Sequence, residues 1–387
     1  MKTTIHSTIV LIGLIFFSFS KIQSATTCET IAKRIDSIRI ANDIPSITYG
    51  VIREDSILVM NSLGFRDCTS NEKSQIKDLY HIGSNTKAFT AFMAAKLIED
   101  NLIAWDTKFF DLFPELKNES KEEFHKITLK QLLSHRARLI KFHRPEEVIK
   151  VIGTYKSQIT EGLSLKKRRY LLIKEILKMP PLPPHDQCED SYSNAGFIAA
   201  ALMLEKATGK SWEELINILS IDLKIDIHIG IPIQHGTNQP KGHLNPKHFG
   251  IETDNRWLPV FDEQKQLPAD FYEFIELTTP SGNLSISIKD FLSFLNLNIK
   301  GLIGETNYLT TETYRDIFTT YSPYSMGWYD EPDDFFRYSH RGSNTMFNSF
   351  AGISPKKKLG VVIMMNAHDE NSLTQILKVL KRHYSTE

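Results

Sequence analysis

The two ends of the chain both carry strand-like segments, whereas the long region between them has mainly helical patterns. Alternating apolar residues predict strands over Ser46–Arg53 and Ser56–Leu63, joined by a turn at Glu54 and Asp55. Further strands and a closing helix are predicted after residue 320. Strands at the two ends can bury a common apolar face by pairing in one sheet. The sequence therefore predicts an α/β (α+β) fold, an antiparallel sheet flanked by helices with a mainly helical domain inserted.

The first residues have the composition of an export signal. Lys2 gives a positive start, and the apolar run 9–19 is too short to cross a membrane comfortably. Small and polar residues before Ala25 offer a cleavage site. Residues 1–24 are therefore predicted to be a signal peptide, with a mature chain that is periplasmic or secreted and has no transmembrane segment. A leader that is retained as an anchor is the alternative.

Composition agrees with a globular protein of one large or two closely packed domains. Of 387 residues, 41% are hydrophobic, which is enough for a large core. Lysine plus arginine equals aspartate plus glutamate at 46 each, so no nucleic-acid partner is predicted. The predicted domains are a sheet domain over 25–80 and 321–387, and an inserted helical domain over 81–320.

The cysteines and histidines give weaker signals. An oxidising compartment allows one disulfide among three cysteines, and Cys28 with Cys68 is the expected pair, which leaves Cys188 unpaired. The histidines at 228, 235, 243 and 248 match no compact ligand spacing. No metal site and no organic cofactor is predicted.

A Ser-x-x-Lys motif at Ser84 and Lys87 is the first candidate for catalysis. A turn at Gly83 precedes it and a helix with a buried face follows, so Ser84 is predicted to open and cap that helix. Positions three apart share a helix face, which places Lys87 beside the Ser84 hydroxyl. A lysine in a dry site loses proton affinity and can activate the serine as a nucleophile. A lone motif of this kind is more often a capping serine with a solvated lysine.

A second motif, Tyr192-Ser193-Asn194, lies where a proline-rich approach meets a buried type of helix that ends at Gly209. A tyrosine at such a corner can present its phenol to a site, and the Asn194 amide offers an acceptor and two donors. A packed tyrosine and a capping asparagine are the structural alternative.

The third motif, His340-Arg341-Gly342, is predicted to lie between strand-like segments near the C-terminus. Gly342 would let a substrate approach the backbone closely. The N–H groups of Ser343 and Ser84 could then form an oxyanion hole. Read alone, His340 is more often structural than catalytic.

With these motifs in this order, the chain resembles the serine β-lactamase and penicillin-binding-protein superfamily. It is most similar to the branch of class C β-lactamases, D-alanyl-D-alanine carboxypeptidases, D-aminopeptidases and esterases. The Leu-Leu-Ser-His segment ending at His135, the Pro-Ser-Gly-Asn-Leu segment at 280–284 and the Tyr-Ser-Met-Gly-Trp segment at 324–328 extend the resemblance. It covers roughly residues 29–380 and implies a β-lactamase/transpeptidase-like fold.

The resemblance implies a role for each matching residue. Ser84 would be acylated, Lys87 and Tyr192 would handle protons, and Asn194 would touch the substrate amide. His340 stands where many relatives have lysine, and an unperturbed histidine (pKa ~6.5) is charged only part of the time at neutral pH. We therefore expect a D-amino-acid peptidase or an esterase rather than a true β-lactamase.

The chain also departs from the pattern. Asn283 follows Gly282 where relatives carry a second glycine, and Arg136-Ala137-Arg138 replaces the usual Thr-Ser-Gly. These changes remove no catalytic group, although they bear on specificity. The predicted function is an exported serine hydrolase that acts on a small-molecule or peptide substrate. A non-hydrolytic sensor or scaffold that keeps the fold is the alternative.

Overall fold

A computed structural model gives the architecture of residues 29–143, 151, 153–156, 162–184, 191–260, 269–331, 333 and 335–385. Strands from both ends of the chain form one seven-stranded sheet in the order β2-β1-β12-β11-β10-β9-β8, and each adjacent pair is antiparallel. Its strands are β1 (Ser46–Arg53), β2 (Ser56–Gly64), β8 (Tyr324–Ser325), β9 (Trp328–Asp330), β10 (Tyr338–Ser343), β11 (Asn348–Ser354) and β12 (Leu359–Met365). The predicted antiparallel sheet shared by the two chain ends is confirmed.

Two small sheets complete the β structure. One has the order β3-β7-β4 and the other pairs β5 with β6. Their strands are β3 (Leu79–His81), β4 (Ile227–Ile229), β5 (Gly242–Leu244), β6 (Leu258–Val260) and β7 (Leu284–Ser287).

Helices cover the sheet and form the region between its two parts. They are α1 (29–41), α2 (Thr86–Glu99), α3 (Phe109–Leu112), α4 (Leu129–Leu133), α5 (Leu165–Ile176), α6 (Asn194–Thr208), α7 (Trp212–Leu223), α8 (Ala269–Leu277), α9 (Thr279–Gly282), α10 (Ile288–Leu302), α11 (Thr311–Thr319) and α12 (Glu370–Ser385). Among the described residues, no helix combines the length and the apolar character that a membrane span requires.

At its centre, the large sheet is buried on both faces. β12 has no exposed residue, and its alternate side chains enter two different cores. Val362 and Met364 join the larger core, which includes Leu292 of α10, whereas Val361 and Ile363 join the smaller core with α1 and α12. This burial on both sides explains why β12 is an unbroken apolar run.

The predicted hairpin is confirmed, because Arg53 pairs with Ser56. The third motif is placed differently from the prediction. His340-Arg341-Gly342 lies inside β10 and pairs with β11, rather than between strands. The polar residues concealed this strand, since a strand facing a site need not alternate with apolar residues.

Other predictions fall partly outside the described residues. The leader 1–24, Cys28 and Cys188 all lie there. Cys68 has no disulfide partner among the described residues, and its pairing with Cys28, which lies outside them, stays a prediction. The Cys68 backbone N–H donates to His243 Nε2 at 3.1 Å. The domain boundaries given above stay predictions.

Candidate active site

The candidate nucleophile lies on a tight turn between β3 and α2. Gly83–Asn85 form one 3₁₀ turn, and Ser84 is half-buried at its centre. The prediction that Ser84 caps α2 is wrong, because the residue at the N-cap is Asn85 and no side chain caps the helix. The Ser84 hydroxyl is thus left for Lys87, whose Nζ lies 3.2 Å from Ser84 Oγ.

Lys87 is fully buried and hydrogen-bonded on three sides. Besides Ser84 Oγ, its Nζ donates to Asn194 Oδ1 at 2.8 Å and to the Ser281 carbonyl oxygen at 2.7 Å. Burial lowers the pKa of Lys87 well below its ordinary value of 10.5. Since no carboxylate is among its hydrogen-bond partners, no negative charge there offsets the cost of burying the ammonium, and the neutral amine can accept a proton from Ser84.

The peptide groups of the turn are fixed in direction. The Gly83 carbonyl accepts a hydrogen bond from Thr86 N–H at the start of α2. In a trans peptide the C=O and N–H point to opposite sides, so Ser84 N–H points away from α2. Gly83 has φ +51, and a Cβ there would lie 2.3 Å from Ser343 N. The Ser84 turn therefore packs directly against the backbone of β10, as the predicted oxyanion hole requires.

Gly342 has a packing role that the sequence did not predict. A Cβ at this position would lie 1.9 Å from the Ile82 carbonyl oxygen and 2.7 Å from Ser349 Oγ. Gly342 thus allows β10 to pack on the residue before Gly83. Its small size brings two parts of the protein together. Gly342 also lines the cavity, and the approach of a substrate to its backbone stays a prediction.

Tyr192 and Asn194 approach Lys87 from the corner that opens α6. Lys87 Nζ lies 4.7 Å from the centroid of the half-buried Tyr192 ring. Asn194 Oδ1 accepts from Lys87, and its Nδ2 donates to the Phe142 carbonyl at 3.1 Å. Asn194 lines the cavity beside Ser84, while its amide also holds Lys87 in place. The cap of α6 is Ser193, whose Oγ accepts from Gly196 N–H at 3.1 Å.

His340 is buried and electrically neutral. Its Nδ1 lies 2.6 Å from the Arg341 carbonyl oxygen, which can only accept, so the ring proton is on Nδ1. Nε2 then accepts from Tyr324 Oη at 3.2 Å. Burial, together with the nearby Lys87, lowers the pKa of His340 to about 3. The expectation that His340 is partly charged near neutral pH is therefore wrong, because desolvation outweighs its ordinary pKa.

Sequence reasoning gave His135 no role at the site. The His135 ring lies between Tyr192 and Tyr324, with centroids 4.2 and 4.4 Å away. Ser193 N–H donates to His135 Nδ1 at 3.1 Å, and His135 Nε2 has no hydrogen-bond partner among the described residues. Its position in the Leu-Leu-Ser-His segment was the one feature of the sequence that could have indicated a place at the site. His135 orients the aromatic group that includes Tyr192.

A cavity of about 760 Å³ connects these residues. Its lining brings together the predicted residues Ser84, Tyr192, Asn194, His340, Gly342 and Ser343. Lys87 lies beneath Ser84 and is not part of the surface. Charged side chains also line the cavity, namely Lys141, Glu331, Arg341 and Glu370. The volume suits a small molecule or the end of a peptide.

The fold and the Ser–Lys–Tyr arrangement define a class, the serine β-lactamase-like hydrolase superfamily. The chain belongs to the beta-lactamase family, whose model matches residues 31–384. Protein flp of Staphylococcus aureus (strain MW2) is 21% identical over 336 residues, which are 84% of this chain and 60% of that protein. The chain thus spans about 60% of the length of the curated relatives it matches.

Solved structures share the fold at low sequence identity. The octameric penicillin-binding protein homologue from Pyrococcus abyssi has a TM-score of 0.72 at 19% identity, with 92% of this chain and 77% of that chain covered. The class C beta lactamase from Rhodobacter sphaeroides has a TM-score of 0.68 at 18% identity, covering 92% and 99%. The D-amino acid amidase from Ochrobactrum anthropi SV3 has a TM-score of 0.70 at 15% identity, also covering 92% and 99%.

Proposed function

We propose that the chain is a serine hydrolase that cleaves an amide or an ester through an acyl-enzyme. The observation that carries this proposal is the 3.2 Å contact between Ser84 Oγ and a buried Lys87 whose pKa is lowered far from its ordinary value. A half-buried hydroxyl on a helix-opening turn, beside an amine that burial keeps neutral, is an activated nucleophile.

The reaction begins with transfer of the Ser84 hydroxyl proton to Lys87 as Oγ attacks the substrate carbonyl carbon. The carbonyl oxygen becomes an anion that Ser84 N–H and Ser343 N–H stabilise. Tyr192 and Lys87 return the proton to the leaving amine or alcohol as its bond to the carbonyl carbon breaks. Water then attacks the acyl carbon and gives one proton to the same groups. The bond between the acyl carbon and Ser84 Oγ breaks, Oγ takes up that proton, and the acid leaves.

Within this chemistry, we propose a D-amino-acid peptidase or an esterase rather than a true β-lactamase. A neutral His340 offers no cation for the carboxylate of a β-lactam, whereas a lysine would be a permanent point charge. The likeness to a D-amino acid amidase supports the same substrate class. The leader-like pattern of residues 1–24 supports export, to the periplasm or outside the cell.

The decisive experiment is intact-mass analysis after exposure to a fluorophosphonate and, separately, to a penicillin. One phosphonate adduct per chain is expected in the parent, and none in Ser84→Ala. Ser70→Ala is the matched control, because Ser70 begins another Ser-x-x-Lys sequence in a loop outside the cavity. An adduct that persists in Ser84→Ala contradicts the assignment of the nucleophile. A stable penicillin adduct without turnover favours the sensor alternative.

A further inference from the structure

His81 immediately precedes the Ser84 turn and takes no part in the mechanism described above. It lies at the end of β3, is buried, and lines the cavity. Gly83 N–H donates to His81 Nδ1 at 3.1 Å. A ring nitrogen that accepts a hydrogen bond carries no proton, so the ring proton is on Nε2. Nε2 then donates to Asn283 Oδ1, which is 3.1 Å away.

The surroundings keep this ring neutral. Burial lowers the pKa of His81 to about 4, and the hydrogen bond to Asn283 only partly opposes that effect. The Asn283 amide is held in turn, since its Nδ2 donates to Thr279 Oγ1 at 3.4 Å. A neutral imidazole with one donor and one acceptor satisfies both neighbours, whereas the imidazolium would repel Gly83 N–H.

Hydrogen bonds on both sides fix the peptide group between Ile82 and Gly83. On one side the Ile82 carbonyl accepts from Ser349 Oγ at 2.8 Å and from Asn85 N–H at 3.1 Å. On the other side Gly83 N–H is held by His81. The next peptide along the chain carries Ser84 N–H, so its direction depends on how firmly the Ile82–Gly83 peptide is fixed.

We propose that His81, oriented by Asn283, is a positioning residue that aims Ser84 N–H at the carbonyl oxygen of the substrate. This inference rests on the proposed acyl-transfer function and deepens it. A residue without a side-chain acceptor at position 283 would leave His81 Nε2 without this partner, so the His81–Asn283 pair supports the nucleophile turn.

The test compares kcat and KM for an ester in single variants of His81. His81→Leu removes the acceptor for Gly83 N–H and should lower kcat about 10-fold or more, because removing a whole oxyanion donor costs ~10²–10³-fold. KM should stay within about 2-fold, since the donor acts mainly in the transition state. His81→Asn places an amide oxygen near the position of Nδ1 and should recover most of the loss.

His243→Leu is the matched control. His243 is also buried, with a pKa lowered to about 4 by burial, and also accepts a backbone N–H, but it does not line the cavity. It should lose stability without losing kcat. If kcat in His81→Leu equals that of the parent or the control, the inference is overturned. A loss confined to KM overturns it as well.

Asn283→Ala gives a second test, which also serves if His81→Leu does not fold. It should lower kcat several-fold, about 3- to 10-fold, in the parent, because it releases His81 Nε2. In the His81→Asn background it should have no further effect, since the shorter amide no longer reaches Asn283. An equal loss in both backgrounds means that Asn283 does not act through His81.

The tautomer of His81 can be measured without any turnover. Nitrogen NMR of the imidazole should show a protonated Nε2 and an unprotonated Nδ1 at neutral pH. A proton on Nδ1 overturns the positioning role whether or not the protein is an enzyme. Conversely, failure of the parent to react with a fluorophosphonate would reject the proposed hydrolase while leaving this result intact.

Discussion

The floor of the cavity and its rim both carry titratable side chains, but those of the floor are buried whereas those of the rim are half-exposed to water. The floor is formed by Ser84, Tyr192 and His340, and Lys87 lies directly beneath Ser84. The rim is formed by Glu331, Arg341 and Glu370. On the floor, burial lowers the pKa values of the lysine and the histidine, so that both favour their neutral forms. On the rim, Arg341 and Glu370 form an ion pair, and both side chains are half-exposed.

Strand β10 shows how little separates the two states. His340 and Arg341 are consecutive, and because side chains alternate along a strand, they point to opposite faces. His340 is 1% exposed, whereas the Arg341 side chain is 43% exposed and lies 2.8 Å from Glu370. Access to water thus decides whether a titratable group serves as a proton acceptor or as a charge. The floor is suited to chemistry and the rim to selection of the substrate.

The largest expected effect comes from removing the base of the floor. Lys87→Ala should lower kcat for an ester by ~10²–10⁴-fold, the range typical of a general base. Lys87→Arg should be equally slow, because a guanidinium donates hydrogen bonds but cannot accept a proton. Steady-state kinetics on the purified variants provides the measurement.

Lys96→Ala is the control for that pair. Lys96 is on the same helix, α2, and forms an ion pair with Asp100 at the surface. It should retain parental kcat. An active Lys87→Arg protein would contradict the contrast between floor and rim. It would show that a permanently charged group beside Ser84 is sufficient for catalysis.

Tyr192→Phe is expected to have the next largest effect. Loss of the phenol should lower kcat by ~10²-fold, toward the lower end for a proton carrier. Combined with Lys87→Ala it should add little, because groups that serve one proton network are not additive. Tyr308→Phe, which removes a hydroxyl bonded to Asp222 away from the cavity, should leave kcat unchanged. Full activity of Tyr192→Phe would mean that the ring only packs against Lys87 and His135.

The sequence was sufficient to predict contacts in the site between residues that are close together in the chain. Lys87 is three residues from Ser84, and helical spacing alone predicts their contact, which the structure has at 3.2 Å. The hydrophobic patterns were also sufficient for the hairpin of β1 and β2. The burial of His340 could not be predicted from the sequence, because it results from tertiary packing against Tyr324 and other side chains.

Contacts between distant parts of the chain were likewise missed. The Ser281 carbonyl that holds Lys87 is 194 residues away from it, and no local pattern marks a backbone oxygen as a partner. Gly342 was correctly seen as a place of close approach. The sequence did not reveal its neighbour in the protein, since only the folded chain shows that the Ile82 carbonyl lies where a side chain at Gly342 would be.

A smaller effect is expected in the pH dependence of substrate preference. His340 has a pKa of about 3, so it stays neutral from about pH 5.5 to about pH 8.5. The ratio of kcat/KM for a cephalosporin to that for an uncharged ester should therefore show no trend from His340 in that range. The absolute kcat/KM for both should rise with pH until Lys87 is fully neutral, and then level off well below pH ~10.5.

His340→Lys sharpens the same test. The longer lysine side chain can place its ammonium in the open part of the cavity rather than at the buried position of the His340 ring. There one charge contact is worth ~1 kcal/mol, so the ratio should shift toward the cephalosporin by about 10-fold or less. A ratio that rises in the parent as pH falls would show that His340 gains charge. The floor would then be wetter than its burial indicates.

The smallest effect is expected at the rim. Exposed ion pairs contribute only about 0–1 kcal/mol to the free energy of unfolding. A double-mutant cycle of Arg341→Ala and Glu370→Gln should therefore give a coupling energy for unfolding in that range. KM should change only a few-fold, by ~2- to 5-fold, and this change should weaken with salt. The buried Arg66–Asp78 pair, joined by contacts of 2.7 and 2.9 Å away from the cavity, is the control and should show a larger coupling.

The pH dependence of stability separates the Glu370 charge from its packing. His368 first of all, with Asn348 and Arg341, lowers the pKa of Glu370 to about 2. A carboxyl whose pKa is lowered on folding stabilises the protein above its unfolded pKa of ~4.3 and loses that contribution as the pH falls toward the folded value. The difference in unfolding free energy between the parent and Glu370→Gln should thus shrink between about pH 4.3 and about pH 2, as followed by thermal or urea denaturation. If this difference in unfolding free energy stays constant over that range, Glu370 stabilises the protein through packing rather than through its charge. The rim would then exclude water as the floor does.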